Sequence, residues 1–138
     1  MLLSFWSTDK VQLTENFKSN EFKSRDYPVI FVDTELVKVL QGIRTALNAP
    51  ITVNSGFRSE AHNKSVKGSK NSAHLMGKAA DISCRQWSAR KIAQIASALY
   101  GRTIAIGLHE EENYVHIDVI YAGNWYDGTL SHKVRRFD

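Results

Sequence analysis

Two segments of the chain repeat apolar residues at the three-to-four spacing of an amphipathic helix. The first, TELVKVLQGIRTALN, follows a capping Asp33 or Thr34 and carries a stripe of Leu, Val and Ile side chains. The second, SARKIAQIASALY, is capped by Ser88 and ends before Gly101. The pattern therefore predicts two long helices, and we interpret the first as scaffold.

Four shorter runs predict β-strands: ITVN, AADISC, TIAIGLH and NYVHIDVIY. AADISC begins with small residues and carries Asp81 near its start. NYVHIDVIY alternates strictly, so Tyr114, His116 and Asp118 share one face, while the apolar residues between them share the other. His116 and Asp118 are therefore predicted to point the same way.

The remaining segments predict short elements. SEAHNKSV is a brief helix begun by Ser59, a helical turn docks Phe17 and Phe22 on the core, and KGSKNS is a loop. No repeat, linker or low-complexity block divides the 138 residues. The order helix, strand, strand, helix, strand, strand predicts a single α+β domain over residues 1–138, with an antiparallel sheet packed against helices. We expect a monomer.

Charge narrows the classes of partner. The net charge is +4, and the basic residues are scattered among acids except in RSEAHNKSVKGSK and the tail KVRRFD. No nucleic-acid recognition motif accompanies them, so we expect no nucleic-acid partner, and a basic nucleic-acid binder is the weakest alternative. The same charge suits an anionic polymer such as a bacterial cell wall.

The N-terminal run and the cysteine count exclude further classes. MLLSFW is followed at once by STDK, so it is too short and wrongly flanked for a signal peptide or a membrane span. We expect synthesis in the cytoplasm, no membrane partner and, if the protein is secreted, another route. The single Cys84 can form neither an internal disulfide nor a cysteine-based zinc site, so any metal must use His, Asp or Glu.

Two of the five histidines, His74 and His116, each lie beside a predicted strand with a carboxylate placed to join them. A catalytic zinc ion takes three protein ligands and keeps a fourth position for water. His74, Asp81 and His116 would supply two nitrogens and one oxygen, and Gly77 permits a tight bend between the first two. A histidine that merely donates to a carboxylate would explain His74 and Asp81 alone, but the third ligand on a later strand favours a metal site.

The run HEEENYVH begins like the helical His-Glu-x-x-His zinc signature. Its fifth residue is Asn113 rather than histidine, and the residues after it alternate as in a strand. The helical signature is therefore excluded.

With these residues in hand, the chain resembles the zinc D-alanyl-D-alanine carboxypeptidase family, whose superfamily includes phage endolysin peptidases and the hedgehog signalling fold. It is most similar to the short single-domain members often found in phages and prophages. The resemblance extends from NFKSNEF, through LVKVLQGIRTALNAPITVNSGFRS and NSAHLMGKAADIS, to IGLHEEENYVHIDV. Its most specific motifs are Ser-x-His-x-x-Gly-x-Ala-x-Asp and a later His-x-Asp, which are met by Ser72, His74, Gly77, Ala79, Asp81, His116 and Asp118.

The resemblance implies that His74, Asp81 and His116 bind one zinc ion. It implies hydrolysis of peptide bonds in peptidoglycan stem peptides or cross-links, by a carboxypeptidase or an endolysin-like enzyme acting at the bacterial cell wall or periplasm, and an origin in a phage gene would fit.

The resemblance also implies that Arg58 of SGFRS binds a substrate carboxylate or carbonyl, for which the planar guanidinium is suited, and a turn-stabilising arginine is the alternative. Ser72 and His109 are further substrate-binding candidates. His109 would donate to the transition state opposite the metal, although a surface histidine explains it almost as well.

The general base is where the chain departs from the family. Many relatives carry Asp or Glu three residues before the last histidine, where this chain has Asn113, and an amide cannot take a proton from water. The candidates are Glu110, Glu111 and Glu112 in the preceding turn, with Glu112 closest to the usual position, and Asp118. Asp118 alternatively orients a ligand histidine. A zinc-stabilised wall-binding module that has lost catalysis is the alternative function.

Overall fold

The structure is a computed structural model that describes residues 1–101, 103–121, 123–126, 133–134 and 137. For the strand residues 125–126 and 133–134 the structure describes only the backbone. In chain order the elements are β1 (Leu2–Trp6), a first 3-10 turn (Ser19–Phe22), β2 (Val29–Asp33), α1 (Thr34–Leu47), β3 (Thr52–Ser55), α2 (Glu60–Ser65), a second 3-10 turn (Ala73–Met76), β4 (Ala79–Ser83), α3 (Ala89–Tyr100), β5 (Ala105–His109), β6 (Tyr114–Asp118), β7 (Gly123–Tyr126) and β8 (Lys133–Val134).

The strands form two sheets. β1 and β2 make a small antiparallel pair, and the main sheet has the strand order β3-β4-β6-β5-β7-β8. All pairs of the main sheet are antiparallel except β5 and β7, which are parallel. The predicted α+β class is confirmed, but the sheet is mixed rather than purely antiparallel. The pair β1 and β2 and the strands β7 and β8 were not predicted.

Both long helices begin and end where the sequence predicts. The Asp33 carboxylate accepts from the backbone N–H of Glu35 at 2.9 Å, so Asp33 is the N-cap of α1 and Thr34 is its first residue. Asn48 ends α1 in the left-handed region with φ 49°. The Ser88 hydroxyl caps α3, and Gly101 follows its last residue.

One buried core joins the two sheets and the long helices. It contains apolar side chains from β2, α1, β4, α3 and β6, among them Ile30, Leu40, Ile82, Ile92 and Ile117. Because side chains alternate along a strand, burying Ile82, Val115 and Ile117 on the helix side turns the residues between them to the other face of the main sheet. That other face carries the candidate site.

The N-terminal segment forms a strand, whereas the C-terminal tail is described only in part. The segment MLLSFW contributes strand β1, whose residues pair with β2 in a register that sets Leu2 opposite Asp33. Half of the basic tail KVRRFD, residues 135, 136 and 138, lies outside the described residues. Within the described ranges, no helix has the length and apolar character needed to cross a membrane.

Candidate metal centre

His74 is held in a buried position by the second 3-10 turn. The Ser72 hydroxyl caps that turn by accepting from the backbone N–H of His74 at 3.2 Å. Gly77 ends it with φ 68°, and a Cβ there would lie 2.3 Å from the carbonyl oxygen of Phe31, so only glycine fits. The His74 ring is 3% exposed, and its Nδ1 donates to the carbonyl oxygen of Gly56 at 2.7 Å. The other ring nitrogen, Nε2, is therefore directed at Asp81.

Asp81 and His116 lie opposite each other on the neighbouring strands β4 and β6. The Asp81 Oδ1 atom is 3.1 Å from His116 Nδ1 and 3.3 Å from His74 Nε2. One ligand atom from each of the three residues can be chosen so that all lie within 4.8 Å of one another. Ligands of a tetrahedral zinc ion lie roughly 3.4 Å apart, since each bond is about 2.1 Å, so this donor set fits zinc.

Asp118 lies behind His116. Its Oδ2 accepts from His116 Nε2 at 2.8 Å, while its Oδ1 accepts from the backbone N–H groups of Ile120 and Tyr121 at 3.1 and 2.7 Å. Asp118 is 2% exposed. Both oxygens of this carboxylate are therefore engaged on the side of His116 away from Asp81, an arrangement typical of groups that orient a metal-binding histidine.

Arg58 lies on the outer side of Asp81. Its Nη2 donates to Asp81 Oδ2 at 3.1 Å, its Nε donates to the Ser55 hydroxyl at 3.0 Å, and its Nη1 lies 3.5 Å from Asn63 Oδ1. The guanidinium has five N–H groups and three are used here, so two are left for a ligand. Asp81 thus presents one oxygen to the histidines and keeps the other on Arg58.

An open cavity of about 630 Å³ borders Arg58. Aromatic side chains form much of its wall, with Phe57 packed against Tyr27 and Phe31 at ring-centroid distances of 6.2 and 5.4 Å. Leu75, next to His74 in the chain, lines it as well. A bound peptide group could reach the guanidinium from this side.

The electrostatics of the centre favour a positive charge beside Asp81. Burial lowers the pKa of His74 and outweighs the opposing effect of Asp81. Burial alone would raise the pKa of Asp81, but hydrogen bonds with His116 and His74 hold it well below its usual value. Burial disfavours the His116 cation too, yet hydrogen bonds with Asp118 and Asp81 raise its pKa to about 9. Positive charge beside the Asp81 carboxylate is therefore favoured, as it is where a cation binds.

Asn113 has a structural contact instead of a place beside the ligands. It lies in the left-handed region with φ 57°, and its Oδ1 accepts from the backbone N–H of Ala89 at 2.9 Å, at the first turn of α3. Sequence reasoning missed this contact. The turn 110–113 joins β5 to β6, and the helical zinc signature is excluded as predicted.

The acids of this turn differ in their contacts. Glu110 forms a paired contact with Arg90, Oε2 to Nε at 2.6 Å and Oε1 to Nη2 at 2.9 Å, and this hydrogen bonding lowers the pKa of Glu110. Glu111 and Glu112 are exposed. Glu112 lies near enough to Tyr114 for its charge to raise the pKa of that phenol.

The two remaining substrate-binding candidates are placed differently. Ser72 caps the turn that carries His74, which is a structural contact. His109 ends β5 opposite Tyr114, and their rings stack with centroids 4.3 Å apart and planes 10° apart. Two neighbours of the ligands, Asn63 and Ser55, were not predicted, and no sequence pattern distinguishes them from other polar loop and strand residues.

The site thus brings two histidines and an aspartate together as one candidate metal centre, backed by Asp118 and Arg58. The peptidase M15 family model matches residues 9–118 of the chain. This match covers well over half of the sequence, and the chain belongs to the peptidase M15 family. The zinc D-Ala-D-Ala carboxypeptidase of Streptomyces albus G is 45% identical to the chain over 58 residues, which are 41% of this chain and 23% of that protein. The match therefore spans less than a quarter of that relative's length.

Proposed function

We propose that the protein is a zinc metallopeptidase that hydrolyses peptide bonds in the stem peptides or cross-links of bacterial peptidoglycan. The observation that carries this proposal is the convergence of His74, Asp81 and His116 in a chain of the peptidase M15 family. The similarity to a zinc D-Ala-D-Ala carboxypeptidase supports both the metal and the substrate class. The proposed place of action is the bacterial wall or periplasm, where a phage-encoded endolysin also acts.

His74, Asp81 and His116 would hold one zinc ion, which supplies Lewis acidity towards a peptide carbonyl and a lowered pKa for water. Asp118 and the Gly56 carbonyl fix the two imidazole rings through the nitrogens that face away from Asp81. The rings therefore present one lone pair each without rotating, which keeps the site organised before substrate arrives.

Arg58 is proposed to bind the substrate. Two of its N–H groups are uncommitted to the residues named above, and the open cavity of about 630 Å³ gives a peptide access to them. A guanidinium binds a carboxylate or a carbonyl oxygen with a directed, charge-assisted hydrogen bond. The contacts with Ser55 and Asp81 hold the group in one orientation, so little side-chain entropy is lost on binding.

Glu112 is proposed as the group that carries a proton from water to the leaving amine. The support is partly by elimination, because Glu110 is paired with Arg90 and Asp118 is engaged by His116 and two backbone N–H groups. Glu112 also lies within electrostatic reach of Tyr114, which shares a strand face with His116. Loss of a positioned acid or base typically lowers the rate about 10²- to 10⁴-fold.

The test is the mass of products released from purified peptidoglycan peptides, with zinc content measured alongside. We expect the zinc-loaded protein to cleave a peptide bond, a chelator to abolish cleavage and added zinc to restore it. The product masses identify the bond. A protein that binds zinc yet releases no product from any stem peptide or cross-linked fragment would contradict the proposal.

A matched pair of variants tests the base. Glu112→Gln should lower the rate at least about 100-fold with unchanged zinc content, whereas Glu111→Gln, its exposed neighbour, should not. Equal rates for the two variants would remove Glu112 from the mechanism.

Asn113 supports a second candidate, a zinc-stabilised module that binds the wall without cutting it. The amide stands where many relatives carry an acid, and its oxygen accepts from the backbone N–H of Ala89 at the first turn of α3. In that case the protein would sediment with purified cell walls, bind zinc and release no product. The same product assay therefore separates the two candidates.

A further inference from the structure

Tyr114 lies on the same sheet face as His116 and has no role in the function proposed above. It begins β6 two residues before His116. Strand alternation places both side chains on one face, with their Cα atoms roughly 7 Å apart. A phenol at this position can extend over the space in front of the ligands.

The ring of Tyr114 is held upright by its neighbour on β5. His109 is its partner across the strands, and the two rings stack with centroids 4.3 Å apart and an angle of 10° between planes. On the other side of β6 lies β4 with Asp81. The stack therefore holds the tyrosine ring on the β5 side and does not involve its hydroxyl.

Two of the proposed metal ligands lie on the same face of the main sheet as Tyr114. Tyr114 and His116 alternate along β6, and Asp81 lies opposite His116 on β4. The half-buried phenol is thus on the side of the sheet that carries these ligands, and a phenol hydroxyl can donate a hydrogen bond.

Within the described part of the chain, the Tyr114 hydroxyl makes no hydrogen bond to another residue, whereas the exposed Tyr121 donates its hydroxyl to the carbonyl oxygen of Asn71 at 3.1 Å. A phenylalanine at 114 would keep the stack on His109 and the burial of the ring. Packing therefore explains an aromatic ring at position 114 but does not explain its hydroxyl oxygen.

We propose that the Tyr114 hydroxyl donates a hydrogen bond to the carbonyl oxygen of the peptide bond that is cut, which makes Tyr114 a further catalytic residue. This inference rests on the proposed peptidase function. No proton is transferred: the hydroxyl keeps its hydrogen, and the bond strengthens as negative charge develops on the carbonyl oxygen. Removing one such donor typically lowers kcat about 100-fold.

The test compares Tyr114→Phe with Tyr100→Phe. Tyr100 is an equally suitable half-buried tyrosine, but it lies on α3 with its hydroxyl packed against Gly42 of α1, away from the metal centre. In Tyr114→Phe we expect kcat on a peptidoglycan peptide to fall about 100-fold, with KM within about threefold and zinc content and melting temperature unchanged. Tyr100→Phe should match the wild type in kcat.

A binding measurement gives a second readout. A phosphonate peptide mimics the tetrahedral, anionic transition state, so Tyr114→Phe should weaken its binding by about the same factor as kcat while leaving the affinity for the uncut peptide unchanged. A wild type that hydrolyses with zinc and a Tyr114→Phe variant equal to it in kcat would overturn this inference alone. A wild type that never hydrolyses would overturn the proposed function and this inference with it.

Discussion

Asp33 and Asp81 are two buried aspartates that both hold cationic groups, yet the chain surrounds them differently. Asp33 is 4% exposed, accepts from the ammonium of Lys78 and caps α1 through the backbone N–H of Glu35. Asp81 is 8% exposed and contacts Arg58 and the two histidines. The Asp33 carboxylate is therefore satisfied by an ammonium group, which stays charged at neutral pH, and by a backbone N–H, which is always present.

The second carboxylate faces nitrogens whose charge depends on what else is bound. Each histidine gives its other nitrogen to a fixed oxygen acceptor, Gly56 for His74 and Asp118 for His116. The two lone pairs directed at Asp81 therefore suit a cation that the chain itself does not supply. These partners on the far side of the two histidines are typical of a metal centre and have no counterpart around Asp33.

The largest effect is expected on peptide hydrolysis. Asp81→Asn removes a charged ligand, so we expect the hydrolysis rate to fall roughly 10³-fold or more, because a site with two strong ligands lacks the third that catalytic zinc requires. Asp33→Asn makes the same chemical change outside the centre and should keep a rate close to wild type. A large and equal loss in both variants would show that the two aspartates do not differ in function.

The support behind His116 gives the next effect. In Asp118→Asn the side-chain oxygen can still accept from Ile120 or Tyr121, but the amide nitrogen cannot accept from His116 Nε2. We expect zinc affinity to fall about 10- to 100-fold, as for other groups that orient a ligand histidine. Competition with a chromogenic chelator measures it. Unchanged affinity would mean that the contact does not orient the ring.

The structural ion pair should affect folding instead. Lys78→Met removes the closer of the two ammonium groups that contact the buried Asp33 carboxylate, the other being that of Met1 at 3.5 Å, and we expect the free energy of unfolding to fall by about 2 kcal/mol. The control is Lys38→Met, which breaks an exposed pair with Glu35 and should change stability very little. Urea denaturation of the two variants measures the difference. Equal stabilities would contradict the role given to Asp33 and Lys78.

The smallest effect is a pH dependence. Burial alone would raise the pKa of Asp33, but hydrogen bonds from Lys78 and the backbone N–H of Glu35 lower it below its usual value. A carboxyl with a lowered folded pKa stabilises the protein above its unfolded pKa of about 3.9, and this stabilisation is lost as pH falls through the folded value. The stability difference between wild type and Asp33→Asn should therefore shrink between pH 6 and pH 3. An increase over that range would contradict the assignment.

Local patterns predicted the parts of the fold that depend on nearby residues. The caps Asp33 and Ser88 and the three-to-four spacing gave both long helices, and alternation gave β4 and β6. The pair β1 and β2 was not predicted because its register joins Leu2 to Asp33, about thirty residues away, and no hairpin turn in the sequence links the two strands. The parallel pairing of β5 with β7 likewise depends on packing rather than on either strand's own pattern.

The candidate site shows the same division. Residue types and spacing identified His74, Asp81 and His116 as one candidate ligand set. Strand alternation predicted that Tyr114 lies on the same strand face as His116. The orientation of Asp118 towards His116 and the contact between Asn113 and Ala89 could not be predicted, because the first depends on a rotamer and the second joins residues 24 positions apart. Sequence alone left Asp118 with two roles, and the geometry favours one.

We propose that the cluster around Asp81 binds zinc and that the one around Asp33 does not, and this difference is open to direct measurement. It is tested most directly by titrating the metal-free protein with zinc against a competing chromogenic chelator, in wild type, Asp81→Asn and Asp33→Asn. We expect one tightly bound zinc ion per chain in wild type and Asp33→Asn, and none at the same free zinc concentration in Asp81→Asn. Undiminished binding by Asp81→Asn would contradict it.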